Sequence, residues 1–384
     1  MVLESVLLKF LLILIVLFLV PKLLYRYTKI PSPLIEVLLG LGLGMLFPKF
    51  FFADDMIQVL ATLGIITLFV VSGMEVDTKF IRKNGLFFIE SLFMHFILFF
   101  LVGLGVHALF GLQYQLSFLV SIALTTPSAS YILSWVKHSK KHVKWIEAKA
   151  LSAEVLGLAL MVILVRLDRP LHLLLVLSVL ALIIFLLPVA LRFLYRKFFS
   201  KLVGTEFSFI FVVAIISAYL TEFIGIHFLV GAFIAGVVAR RFVQNIVKDK
   251  EYASISHIEG KNIISSFGFF ALTFVPFYFY SVGLHMALAD MTLIAFAIAA
   301  GLCIVLLLLR SGLMFLHRRF RLKESPLASA RISVVVMPTL VFTFVLAELL
   351  YSQFGISSQL FTVLMVYGVF TAIFSLVLAR RVHA

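Results

Sequence analysis

The sequence is short of nearly everything a soluble enzyme uses. Only 13% of its 384 residues are charged, and it holds a single cysteine, Cys303. One thiol excludes an internal disulfide and a cysteine-built metal cluster. There is no Walker-type phosphate loop and no Gly-x-Gly-x-x-Gly followed by an acidic residue, so neither ATP hydrolysis nor nucleotide binding is expected. The longest polar connection runs only from 241 to 262, too short for a soluble domain. The N-terminus carries Glu4 and Lys9 before its apolar run, with no small-residue cleavage site, and reads as a retained first helix rather than a signal peptide. What remains is apolar: 63% of residues are hydrophobic and 42 are Phe, with a mean hydropathy of +1.18. In lipid only helices and closed barrels satisfy the backbone. A barrel would alternate apolar and polar residues, whereas these runs are continuously apolar. The class is a polytopic all-α membrane protein.

Thirteen apolar runs qualify as candidate spans: 3–20, 34–47, 57–74, 86–109, 116–136, 146–165, 171–195, 206–223, 225–240, 263–284, 291–316, 328–351 and 357–379. The net charge of +14 is distributed by topology. Of the 32 Lys and Arg residues, all but Lys9, Lys49, Arg166 and Arg169 fall in alternate connections with their flanking helix ends or in the C-terminal tail. The positive-inside rule then places the N-terminus outside and the C-terminus in the cytoplasm. Anionic lipid is an expected partner of this basic excess, and nucleic acid is not. Thirteen spans divide into two six-helix halves about one linker helix, so the halves enter the membrane in opposite senses. That is the arrangement of inverted-repeat secondary transporters. The fifth span of each half carries a proline, in Ala123-Leu124-Thr125-Thr126-Pro127-Ser128 and in Val336-Met337-Pro338-Thr339. Proline removes an N–H and clashes with the preceding turn, so discontinuous helices are expected at Pro127 and at Pro338 and Thr339.

Glu154, in Ala150-Leu151-Ser152-Ala153-Glu154-Val155-Leu156-Gly157, stands inside an apolar run. An acidic residue at a membrane helix centre costs roughly 2.5–3.5 kcal/mol on insertion scales, so it is held by something or it titrates. It lies roughly 12 Å from the cytoplasmic end of its span at 1.5 Å per residue. Arg310 lies roughly 8–10 Å deep in its own span, a depth at which the two charges can meet. The bland alternative is an arginine that snorkels and a glutamate that caps a polar neighbour. Thr125 and Thr126 are candidate oxygen ligands for a small hard cation, together with Glu154, because such ions prefer hydroxyl, carbonyl and carboxylate oxygen. Glu36 and Glu90 lie near cytoplasmic span ends and are expected to reach water. Glu222 and Glu348 lie near outer ends. His95, His107 and His227 have no metal-ligand spacing and read as packing residues.

Five strings in order resemble the monovalent cation/proton antiporter family, in its Kef and NapA-like branch. They are Ile30-Pro31-Ser32-Pro33-Leu34 followed by Leu38 to Gly44, Leu68-Phe69-Val70-Val71-Ser72-Gly73-Met74-Glu75-Val76-Asp77, Thr221-Glu222-Phe223-Ile224-Gly225, Leu229 to Gly236, and Pro276 to Leu284. The resemblance implies a homodimer in a bacterial or archaeal inner or plasma membrane. It implies thirteen transmembrane helices in two inverted six-helix repeats, with the broken helices 5 and 12 crossing. It implies elevator-type exchange, in which a core of about 86–165 and 291–379 slides against a dimerisation part of about 1–74 and 206–284, joined by a linker helix at about 171–195. Glu154 matches the family's ion-binding carboxylate and Arg310 its basic partner. The cargo implied is Na+ or K+ against H+, with pH homeostasis as the role and no cofactor. The sequence departs from the family where Ala153-Glu154 replaces a polar residue followed by Asp. A lone carboxylate is similar to electroneutral exchange. The Kef cytoplasmic nucleotide-binding domain is not expected, since the chain ends at Ala384. A channel, a transport-inactive sensor on the same scaffold and an organic-ion transporter remain as alternatives.

Overall fold

The computed structural model describes every residue except 1, 29, 48–54, 77, 84, 130, 133–139, 168, 200–205, 247–256, 289–290 and 384. The described residues are helical, with no strand among them. The helices are α1 (Val2–Thr28), α2 (Ser32–Leu46), α3 (Asp55–Glu75), α4 (Thr78–Lys83), α5 (Gly85–Phe110), α6 (Tyr114–Thr125), α7 (Lys140–Val165), α8 (Pro170–Leu194), α9 (Glu206–Phe223), α10 (Phe228–Ile246), α11 (His257–Leu288), α12 (Leu293–Leu316), α13 (Pro326–Val335), α14 (Leu340–Phe354) and α15 (Ser358–His383). Among the described residues, ten helical stretches are long and apolar enough to cross a membrane, and α2 and α6 are shorter apolar helices. The chain is a polytopic integral membrane protein.

Helix ends follow local chemistry. Ser325 caps α13 by accepting from the Ala328 N–H at 3.3 Å, with Pro326 in the first turn, where its missing N–H costs nothing. Thr292 caps α12 in the same way at 3.2 Å. The two expected interruptions are present. Helix α6 stops at Thr125 and the chain turns helical again at Ala129, the rest of that span, 133–136, lying outside the described residues. Residues 336–339 separate α13 from α14.

The chain divides into two compact units. The first comprises residues 1–55, 86–164 and 279–384, and the second 56–85 and 165–278. In the second unit, α3 and α10 pack backbone to backbone. A Cβ on Gly73 would meet the Phe233 carbonyl at 2.2 Å, and one on Gly236 the Val70 carbonyl at 2.1 Å. Small residues let membrane helices approach this closely. Helix α8 buries only Val176, Leu180 and Leu191, which suits a helix clothed mainly by lipid. In the first unit the opposite holds for α14, whose residues Leu340 to Ala347 are all buried. That helix is the packing centre around which the two interruptions sit.

Glu36 differs from its expected place. It is only 4% exposed, because α2 is packed closely through Gly40 and Gly283 against the end of α11. Glu90 is half-exposed and pairs with Arg321 at 2.8 Å.

Candidate ion site

Interrupting α6 creates a bookkeeping problem that neighbouring side chains solve. The last carbonyls of a helix and the first N–H groups of the next have no partner within the helix. Here Thr343 on α14 donates to the Ala123 carbonyl at 2.8 Å, and Tyr367 on α15 donates to the Leu124 carbonyl at 2.6 Å. On the far side of the break, Pro127 has no N–H to satisfy. The Ser128 N–H donates to the Pro338 carbonyl at 2.8 Å, so the two interruptions touch. The next N–H, that of Ala129, donates to Glu154 Oε1 at 2.7 Å.

That last bond decides how Glu154 is held. The carboxylate, 3% exposed, accepts where the chain turns helical again, at a backbone N–H that the break leaves without a carbonyl partner. Helix α7 can bring it there because its facing residues are small: Ala150 and Ala153 are fully buried. Gly157, one turn on, lies so close to α6 that an added Cβ would stand 2.9 Å from Thr126 Oγ1.

The hydroxyls at the first break are not equivalent. Thr125 donates back to the Ser121 carbonyl at 2.6 Å. The hydroxyls of Thr126 and Ser128 are fully buried and have no hydrogen-bond partner among the described residues. Buried hydroxyls are normally paired. Thr126, Ser128 and Glu154 thus bring oxygen atoms to one break, a donor set suited to a hard monovalent cation. Among the described residues, no group of three or more His, Cys, Asp or Glu is placed to hold a metal ion.

Arg310 is 2% exposed and serves the other interruption. Its Nη1 donates to the Met337 carbonyl at 2.8 Å and its Nη2 to the Val336 carbonyl at 3.2 Å. The second break is otherwise closed by hydroxyls: the Thr339 N–H donates to Thr371 Oγ1 at 3.3 Å. Sequence inspection passed over Ser128, Thr343, Tyr367 and Thr371. Their only signal was a hydroxyl in an otherwise apolar span.

The remaining polar candidates have structural partners. Glu222 accepts from the Phe228 N–H at 2.9 Å at the connection of α9 and α10. Glu348 pairs with His285 at 2.9 Å. His95 is buried with Nδ1 2.8 Å from the Ser91 carbonyl, and His107 lies 2.6 Å from the Leu112 carbonyl. His227 packs on Phe228. Lys149, five residues before Glu154, is fully buried with its ammonium over the rings of Phe87 and Trp145.

A helical membrane fold with a buried carboxylate at an interrupted helix defines an ion-translocating membrane protein rather than an enzyme. Residues 12–380 match the family described as Sodium/hydrogen exchanger, transmembrane, and the chain belongs to that family. Its members are cation/proton exchangers. A probable Na(+)/H(+) antiporter 3 from Methanocaldococcus jannaschii is 26% identical over 295 residues, 73% of this chain and 72% of that protein. The sodium proton antiporter MjNhaP1 from the same organism, solved at pH 8, has the same fold. It aligns with a TM-score of 0.69 at 17% identity, covering 98% of this chain and 96% of that one.

Proposed function

We propose that this protein exchanges Na+ or K+ for protons one for one, with Glu154 as the shared site. The observation that supports this most is the 2.7 Å bond from the Ala129 N–H to Glu154 at a break where two buried hydroxyls have no hydrogen-bond partner among the described residues. In the proposed cycle a proton or a cation occupies Glu154, never both. Thr126 and Ser128, with Thr125 and backbone carbonyls at the break, complete the cation's shell. Arg310 supplies a fixed positive charge that favours the empty, deprotonated carboxylate. Competition for one carboxylate couples the fluxes and makes the exchange electroneutral.

The proposal includes the membrane arrangement expected from the sequence. Thirteen helices form two inverted repeats, the N-terminus lies outside, and the interrupted helices cross at Ser128 and Pro338. A homodimer carries a core that moves as an elevator against a dimerisation part. The five sequence strings favour the Kef and NapA-like branch.

The test is proteoliposome exchange followed with a pH-sensitive dye, run with Na+, K+ and Li+ in turn, with and without a voltage clamp by ionophore. One cation is expected to drive proton movement that the clamp leaves unaltered. A flat response to all three would defeat the exchanger assignment. Single-channel currents without proton coupling would replace it with a channel.

A further inference from the structure

A second polar cluster lies away from the breaks. Helix α7 carries Trp145 and Lys149 one turn apart, hence on one face. The chain leaves α12 through a π-helical turn, His317–Arg321, a wider coil that recurs at functional sites. That turn lays the Arg318 guanidinium on the Trp145 ring, 4.2 Å from its centroid. The Lys149 ammonium stands 5.8 Å from the same ring and 5.2 Å from that of Phe87 on α5. His317 packs against both rings.

Arg318 and Lys149 are fully buried. Arg318 Nη2 donates to Glu324 and, at 3.2 Å, to His142 Nδ1. Its Nε and Nη1, the Lys149 Nζ and the Trp145 Nε1 have no hydrogen-bond partner among the described residues. Ring faces offset only part of the cost of taking such cations out of water. The neighbouring acids are engaged elsewhere, Glu324 with Arg318 and Glu90 with Arg321 at 2.8 Å. His317 Nε2 lies 3.8 Å from Glu90 Oε2, beyond hydrogen-bond reach. Each of the four unmatched nitrogens is a donor only. Their complement is an oxyanion, which brings several acceptor oxygens and a negative charge together. The solvent edge of the cluster is the Glu90–Arg321 contact, a surface ion pair that costs little to part.

We propose that this cluster binds a phosphate group at the end of α7 expected to face the cytoplasm, with Lys149 and Arg318 as its charged ligands and the Trp145 N–H as a further donor. The phosphate oxygens come from an anionic phospholipid headgroup or from free phosphate. The proposal is independent of exchange at Glu154, and its test reads binding rather than transport.

Melting of the purified protein in detergent is followed while inorganic phosphate, phosphatidylglycerol or phosphatidylcholine is titrated in. Phosphate stabilises many proteins merely by exclusion from their surface. The same titrations are therefore run on Lys149→Met and on Lys323→Met, which removes an exposed lysine beside Glu324. Inorganic phosphate, phosphatidylglycerol or both should raise the melting temperature of the parent saturably. Lys149→Met should weaken the apparent affinity about tenfold, as expected for one lost charge-assisted hydrogen bond, and Lys323→Met should leave it unaltered. Without ligand, Lys149→Met should melt no lower than the parent, because it removes a buried charge that has no hydrogen-bond partner. A shift with phosphatidylglycerol alone identifies a lipid headgroup, and one with inorganic phosphate alone a soluble phosphate; either supports the site. The proposal is overturned by no saturable shift with either, by an equal shift with phosphatidylcholine, by an unaltered affinity in Lys149→Met, or by an equal loss in Lys323→Met. Lys149→Met melting well below the parent without ligand overturns it too, since the ammonium would then already be satisfied within the protein.

Discussion

The two helix breaks of the first unit are built from the same parts and finished differently. Each has a proline without an N–H, an adjacent threonine and carbonyls freed by the interruption. At the second break the carbonyls of Val336 and Met337 receive the Arg310 fork, and the Thr339 N–H finds Thr371. At the first, the backbone is equally well served by Thr343, Tyr367, Pro338 and Glu154, but the hydroxyls of Thr126 and Ser128 have no partner among the described residues. A satisfied break is scaffold. A break with buried oxygens left over is where we place the cation, because leaving them without a partner costs about 1–3 kcal/mol each.

Four comparisons break or sharpen that contrast. The largest effect is expected from Glu154→Gln, which keeps the shape and removes the titrating charge: cation-driven proton flux should fall to background in liposomes. Retained coupling would place the ion site elsewhere. Next is Arg310→Met at the second break. It leaves two buried carbonyls without a donor, at roughly 1–3 kcal/mol each, and should lower the melting temperature in detergent far more than Glu154→Gln does. Equal melting temperatures would mean that Arg310 is not a structural clamp.

A smaller effect is expected from Gly157→Ala. Its new methyl would approach Thr126 Oγ1 at 2.9 Å, and overpacking of this kind costs about 1–3 kcal/mol. The cation KM should rise, and a parallel Gly157→Ser variant should be worse; an unchanged KM in both would remove Thr126 from the site. The smallest and most discriminating pair is Thr126→Val against Thr371→Val. At the first break a hydroxyl without a partner among the described residues is lost, so stability should hold or improve while cation affinity drops. At the second the Thr339 N–H loses its acceptor, so stability should drop by about 1–3 kcal/mol. Thermal melts and KM measurements on both variants check this, and the contrast fails if the two behave alike.

Much of this site was legible in the residues alone. The prolines marked both interruptions, because a missing N–H and a ring clash act locally whatever surrounds them. Glu154 stood out because a carboxylate in a continuous apolar run cannot be solvated there. The depth of Arg310 was also legible, but its partner was not. Depth along a span follows from counting residues, whereas the group a side chain meets depends on how neighbouring helices are rotated. The carbonyls at 336 and 337 compete for the guanidinium, and no pattern along the chain records that competition. Glu36 was placed near water from its distance to a span end, and the close approach of α2 and α11 buried it.

The sequence by itself therefore determined the membrane class, the all-helical fold, the two breaks and the carboxylate that must be held or titrated, since these rest on local sterics and on solvation. Only the tertiary structure decided what holds each group. It gave Glu154 the Ala129 N–H, gave Arg310 to the second break, and left two hydroxyls at the first without a partner among the described residues. Hydrogen-bond partners across helices are set by packing, and packing is a property of residues far apart in the chain.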